Sequence, residues 1–339
     1  MNFDRDRAER DLGITRLSHI VVNVRDLERS AMFYEALGPL RPRERGSLQL
    51  DGSAGLGIGG PVHLDWLAMD DGTMGDPVKV ILAQWRKPAL TAAPYPSVSS
   101  VGIVKFAFHN PDPETKLERL RSMGVSPTNS VIVRNYVTVL DPDGTIVSFR
   151  HTPGAAVEQL FHVHISTRHL ARYLEFCDQV LDLEYWMKSM PNAPQPSSQG
   201  PGGDLVQWNS HFMRHPGDHR FTLDIGEYVY PEPQGEPHRY ANAVGIAMIG
   251  FEVLDIETAR NVLATRISAR GGRGATLQGG VETWTNADTG AAVGVLHCTD
   301  PDGNLLQFAE RPRPNLLRPR PADQMQLTWP PRSAGSVVP

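Results

Sequence analysis

The feature that most constrains this chain is an internal repeat. Residues 19–38, HIVVNVRDLERSAMFYEALG, and residues 162–181, HVHISTRHLARYLEFCDQVL, run in register: His to Leu spans eight positions in both, and His to Phe fourteen. Each opens with an alternating stretch that fits a strand, then passes through charged residues into a segment whose apolar residues fall on one helical face. In the first helix these are Leu27, Ala31, Phe33, Tyr34 and Leu37, and in the second Leu170, Tyr173, Leu174, Cys177 and Leu181. A second unit follows each copy. KFAFHNPDPETKLERL begins at Lys105 and MIGFEVLDIETARNVL at Met248, with Glu114-Thr115 matching Glu257-Thr258. Both second units close in a hairpin on the same four residues, Asp141-Pro142-Asp143-Gly144 and Asp300-Pro301-Asp302-Gly303. This is strong turn chemistry: proline fixes φ and glycine tolerates a positive one. Strand, helix and strands therefore recur four times, over roughly 16–90, 100–152, 159–232 and 244–311.

Four such modules predict an α+β fold of four βαβββ units paired into two cup-shaped mixed-sheet domains. Pairing sequence neighbours gives an N-terminal domain at 1–152, a C-terminal domain at 159–311 and a Pro-rich tail at 312–339. The Pro-, Gly- and Ser-rich stretch 190–203 is read as a mobile surface loop able to act as a lid. A chain of 339 residues is long enough for two domains. A net charge of −5 gives no electrostatic reason to expect nucleic acid or an anionic membrane as partner. Two cysteines, Cys177 and Cys298, do not make a disulfide framework. The first residues, MNFDRDRAERDLG, have no apolar stretch of the secretory kind, so a cytoplasmic location is expected.

Alternation along the strands assigns faces. His162, His164 and Ser166 share one face, and Val163 and Ile165 the other, which should pack on the helices. By the same logic Met248, Gly250 and Glu252 face the cup, while Ile249, Phe251 and Val253 pack inward.

The strand–helix signatures at His19 and His162, with the two DPDG hairpins, resemble the vicinal-oxygen-chelate superfamily of glyoxalases, bleomycin-resistance proteins and extradiol dioxygenases. Four modules in one chain resemble the two-domain extradiol dioxygenases most. The resemblance implies a divalent metal, Fe or Mn, on two histidines and a carboxylate in the C-terminal cup. The corresponding positions here are His162, Met248 and Gln307, an incomplete triad, with His19, Lys105 and Ser148 at the matching places of the first half. Met and a neutral Gln are poor partners for a hard divalent ion, so the alternative of no metal stands beside it. The resemblance also implies that His219 lies near the dioxygen site and that His297 takes the place of a hydrogen-bonding tyrosine.

The expected site thus gathers His219, His297 and His164 as catalytic groups, His162, Met248, Glu252 and Trp208 as substrate contacts, and His162 with Gln307 as metal ligands. His19 is expected to be a structural remnant. The resulting reading is an extradiol-dioxygenase-like enzyme acting on a small aromatic or vicinally oxygenated substrate. The alternatives are a metal-free isomerase or lyase of the same fold, and a non-catalytic small-molecule binding or resistance protein. A small-molecule partner is implied, and by family habit a homo-oligomer, but neither nucleic acid nor membrane.

Overall fold

A computed structural model describes residues 12–72, 77–125, 136–152, 158–196, 205–218, 220–269 and 274–310. The first module contains β1 (Ile14–Asn23), α1 (Leu27–Leu37), β2 (Arg41–Leu50), β3 (Val62–Asp70) and β4 (Lys79–Lys87). The second contains β5 (Gly102–Asn110), α2 (Pro113–Ser122), β6 (Tyr136–Leu140) and β7 (Ile146–His151). The third contains β8 (Gln159–Ser166), α3 (Leu170–Gln179), β9 (Glu184–Ser189), β10 (Gln195–Pro196), β11 (Leu205–Arg214) and β12 (Thr222–Tyr230). The fourth contains β13 (Gly245–Val253), α4 (Ile256–Ala269), β14 (Thr276–Thr285), β15 (Ala292–Thr299) and β16 (Leu305–Glu310). The expected α+β class and the two curled mixed sheets are present.

The helices form where the apolar periodicity places them. Asp26 caps α1 by accepting the backbone N–H of Arg29, and all five residues of the anticipated stripe are buried. Asp112 caps α2 in the same way, with Pro113 in the first turn, where a missing N–H costs nothing. The strand faces also fall as alternation requires. Val163, Ile165, Ile249, Phe251 and Val253 join the main apolar core, while Met248 joins a separate cluster on the concave face.

Sheet partnership differs from the sequence expectation. One eight-stranded sheet runs β14-β15-β16-β13-β1-β4-β3-β2 and joins the first module to the fourth. The other runs β10-β11-β12-β8-β5-β7-β6, with β9 on β11, and joins the second to the third. At their centres β1 pairs antiparallel with β13, and β5 with β8. The expected pairing of neighbours within 1–152 and within 159–311 is therefore replaced by an outer pair and an inner pair. Neighbours in sequence are instead tied through the hairpin turns. Tyr34 of α1 donates its hydroxyl to Asp141 at 2.8 Å, and Tyr173 of α3 to Asp300 at 2.5 Å. Arg29 reaches Asp143 and Arg172 reaches Asp302. Asp141 and Asp300 also accept backbone N–H groups of their own turns, so each DPDG turn both shapes a hairpin and anchors the neighbouring module's helix. The two inter-module linkers run beside each other, with Thr91 bridged to Ala243 and Tyr95 stacked on His238.

Among the described residues, no helix is long and apolar enough to cross a membrane. The tail 312–339, expected to be Pro-rich and extended, lies outside the described residues. So do residues 197–204 of the expected lid and His219, the expected dioxygen-site histidine.

Candidate functional site

Each sheet curls around a concave face, and the two faces are built differently. The outer cup, between modules one and four, encloses a cavity of about 370 Å³, a size suited to a small organic molecule. Its walls are largely apolar: Trp66, Trp85 and Trp284 stand around Leu48, Leu64 and Met248. Ionic groups enter from several strands, Arg16, His19 and Lys79 from β1 and β4 and Glu44, Glu252 and Glu310 from β2, β13 and β16, and His19 and Lys79 are strand partners. Asn23 is committed to the frame: its amide donates to the carbonyls of Ala241 and Ala243 and its oxygen accepts the Trp85 indole at 2.8 Å.

At the floor of this cup a hydrogen-bonded chain joins residues 288 positions apart. His19 Nε2 lies 2.8 Å from Gln307 Oε1, and Gln307 Nε2 lies 3.0 Å from His297 Nε2. The amide assigns the tautomers in this orientation. Its oxygen accepts a proton from His19 Nε2, and its NH₂ donates to His297 Nε2, which leaves the His297 proton on Nδ1. Ser18 Oγ completes the chain at His19 Nδ1, 2.9 Å away. Burial pulls both imidazoles down to about 4, so they are neutral at physiological pH. Two glycines make room for them. A Cβ on Gly250, directly opposite His19, would collide with that imidazole, and one on Gly55 would collide with His297 Nδ1. The Gly55 loop is held over His297 by Glu282, which accepts the Gly55 N–H at 2.9 Å and the Ser53 hydroxyl at 2.7 Å.

The inner cup, between modules two and three, is packed with buried ionisable groups. His164 Nδ1 donates to Asp224 Oδ2 at 2.8 Å, and His162 Nε2 lies 3.8 Å from the same oxygen. Lys105 is fully buried, with its ammonium 5.6 Å from the centre of the Tyr136 ring. Burial pushes Asp224 up, but His164, His162 and Lys105 outweigh it and hold the carboxyl well below the usual range. Burial drives His162 well down and lowers Lys105 to about 8, still mostly charged at neutral pH. Phe161, Phe212 and Tyr228 pack around the two imidazoles.

The site expected in one C-terminal cup is therefore divided. His162, His164 and Trp208 belong to the inner sheet, whereas Met248, Glu252, His297 and Gln307 belong to the outer one. His162 and Gln307 do not share a site, because their strands lie in different sheets. His19, expected to be a remnant, is the residue that meets Gln307. Glu252 sits in the outer cup and is engaged there by Arg16 at 3.2 Å and by the Thr15 hydroxyl at 2.7 Å. Trp208 donates to Ser189 at 3.4 Å. Asp224 and Lys79 are site residues that the sequence reading misses. Asp224 lies in the segment GDHRFTLDI and faces the cup by alternation with Thr222 and Gly226, so its signal becomes readable once its strand is placed.

Strand register tests whether either cup fits a metal. Gln307 stands two residues beyond Leu305, the strand partner of Met248. The equivalent steps lead from His19 through Lys79 to Ile81, from Lys105 through Ile146 to Ser148, and from His162 through Thr222 to Asp224. The outer cup thus offers His19, Ile81, Met248 and Gln307, and the inner cup Lys105, Ser148, His162 and Asp224. At these register positions neither set is two imidazoles with a carboxylate, the arrangement that suits Fe(II) or Mn(II); the inner cup's second imidazole, His164, spends its Nδ1 on the same Asp224 oxygen that His162 Nε2 approaches. Among the described residues, no three His, Cys, Asp or Glu side chains converge to hold a metal ion. The donor sets do not fit the group that the family resemblance implies.

No protein-family model and no curated protein sequence matches the chain. Solved structures do. Glyoxalase I from Zea mays superposes with a TM-score of 0.61 at 14% identity, over 87% of this chain and 92% of that one. The "putative dioxygenase" from Bacillus subtilis superposes with a TM-score of 0.55 at 15% identity, over 88% of this chain and 86% of that one. At this identity the likeness establishes the fold alone: the chain shares the architecture of these two structures over 87% and 88% of its length.

Proposed function

We propose that this chain, a vicinal-oxygen-chelate fold in four modules, binds a small aromatic or vicinally oxygenated molecule in its outer cup without a resident metal. The observation that carries the reading is the cavity of about 370 Å³ walled by Trp66, Trp85 and Trp284 and closed at its floor by the His19–Gln307–His297 chain. The indoles offer flat apolar faces to an aromatic ring. The Lys79 side chain, which has no hydrogen bond or ion pair among the described residues, offers an ammonium to substrate oxygens beside His19.

The neutral histidine chain favours a second reading, in which the bound molecule undergoes proton transfer. The glyoxalase and dioxygenase that share the fold direct attention to oxygenated substrates. Ring cleavage of the extradiol kind does not follow from that likeness, because the outer cup lacks the ligands for the ion it uses.

Titration with catechol or salicylate, read by quenching of the indole fluorescence, tests the reading. Saturable quenching that is indifferent to EDTA is expected. Ile81→Trp, which fills the cavity from β4, should weaken that binding at least about tenfold. Unchanged affinity in a folded Ile81→Trp protein would place the ligand elsewhere. Turnover of the bound compound that survives chelation separates catalysis from sequestration.

A further inference from the structure

The inner cup contains a set of buried polar atoms that find no hydrogen-bond partner among the described residues: Lys105 Nζ, both ring nitrogens of His162, His164 Nε2, Ser166 Oγ and Asp224 Oδ1. Groups of this kind are costly to bury, and a carboxylate or an ammonium is tolerable inside a protein only when opposite charge lies close by. The residues at hand to offset these groups are the two imidazoles at Asp224, 2.8 and 3.8 Å away, and the Lys105 ammonium on the neighbouring strand. Asp224 and His162 stand at the register positions where a family metal would find a carboxylate and an imidazole. The adjoining strand β5 sends Lys105 to the same place, directly opposite His164 across the β5–β8 ladder. Lys105, His164 and Asp224 thus lie in one row across β5, β8 and β12, and although no hydrogen bond or ion pair within 4.0 Å joins Lys105 to Asp224, the two opposite charges share the same buried face. Tyr136 lies beneath the ammonium and adds an aromatic face. A divalent cation brought to Asp224 would meet this fixed positive charge in a buried, low-dielectric pocket, where like charges repel strongly.

We propose that the Lys105 ammonium stands in the inner cup where a divalent metal would stand, so that Lys105, Asp224, His162 and His164 form a metal-free ion cluster joining the second module to the third. β5 brings the cation from module two, and β8 and β12 bring the imidazoles and the carboxylate from module three. The charge that a metal would carry is thereby made part of the chain, and the cup serves cohesion of the inner sheet instead of ligand exchange.

A double-mutant cycle on the full-length protein tests this, with Co²⁺ titration as a second readout. Lys105→Met should lower the melting temperature by about 5 °C or more, because it leaves Asp224 buried without its counter-charge, and Asp224→Asn should do likewise by stranding the ammonium. The double variant Lys105→Met/Asp224→Asn should melt above either single one. The native protein should take up no Co²⁺ in an Asp224-dependent way. If Lys105→Met alone does not fold, adding it to Asp224→Asn still decides, since the second change must raise the melting temperature. A double variant whose losses simply add, or one equivalent of Co²⁺ bound by the native protein and lost in Asp224→Asn, would overturn the proposal.

Discussion

At the scale of single residues, three buried histidines set a pH signature. Burial lowers His19 and His297 to about 4 and holds His162 well below its ordinary value, whereas all three would titrate near 6.5 in the unfolded chain. The folded pKa is the lower one, so the unfolded state takes up more protons in this window. The stability these residues hold is complete above about pH 6.5 and is lost as the pH falls toward 4. Asp300 and Asp141 work in the opposite sense: burial raises both, Asp300 from 3.8 to about 6, so the stability they hold is present at low pH and is lost as the pH rises through that range, against the trend set by the three imidazoles. His297→Asn should therefore flatten the fall in unfolding free energy between pH 6.5 and 4, measured by denaturant titration at several pH values. A curve as steep as the native one would show that His297 is not held neutral. Gly250 carries a second prediction. A methyl group there collides with the His19 imidazole, so Gly250→Ala should destabilise the protein by about 1–3 kcal/mol and disturb ligand binding in the outer cup, both readable in one thermal and one fluorescence titration.

At the scale of elements, the repeat makes the modules legible. The same His-to-Leu and His-to-Phe spacings that mark 19–38 and 162–181 place β1, α1, β8 and α3, and alternation assigns the faces of β8 and β13. The DPDG turns are legible as turns but not as anchors. That Asp141 and Asp300 accept the hydroxyls of Tyr34 and Tyr173 depends on helix packing across 107 and 127 residues of separation, which local pattern does not encode. Tyr173→Phe should cost about 1–3 kcal/mol by removing a donor from a fully buried carboxylate, seen as a lower unfolding midpoint, while Tyr185→Phe, at an exposed position, should be nearly neutral. Equal effects of the two would deny the anchor.

At the scale of the whole molecule, the sequence does not disclose which modules share a sheet. Central strands β1, β5, β8 and β13 carry similar buried patterns, so any of them could pair with any other on hydrophobicity alone, and nearest neighbours offer the shorter loop closure. The actual pairing joins outer to outer and inner to inner. That is why the expected site is composed of residues from two different cups and why His19 reads as a remnant. Its partner Gln307 is recognisable only once β1 is seen beside β13 and β16. A fragment ending at residue 152 would expose the edges of both β1 and β5. It should fail to fold cooperatively, as circular dichroism melting would report, whereas two self-sufficient halves would each show a transition. The central claim, a small-molecule site in the outer cup, is tested most directly by the indole N–H resonances during a catechol titration. Trp66, Trp85 and Trp284 line that cup, and Trp186 and Trp208 belong to the inner sheet. Shifts in the first three signals that saturate together are expected, with the other two unmoved, and movement of Trp186 and Trp208 alone would contradict the claim.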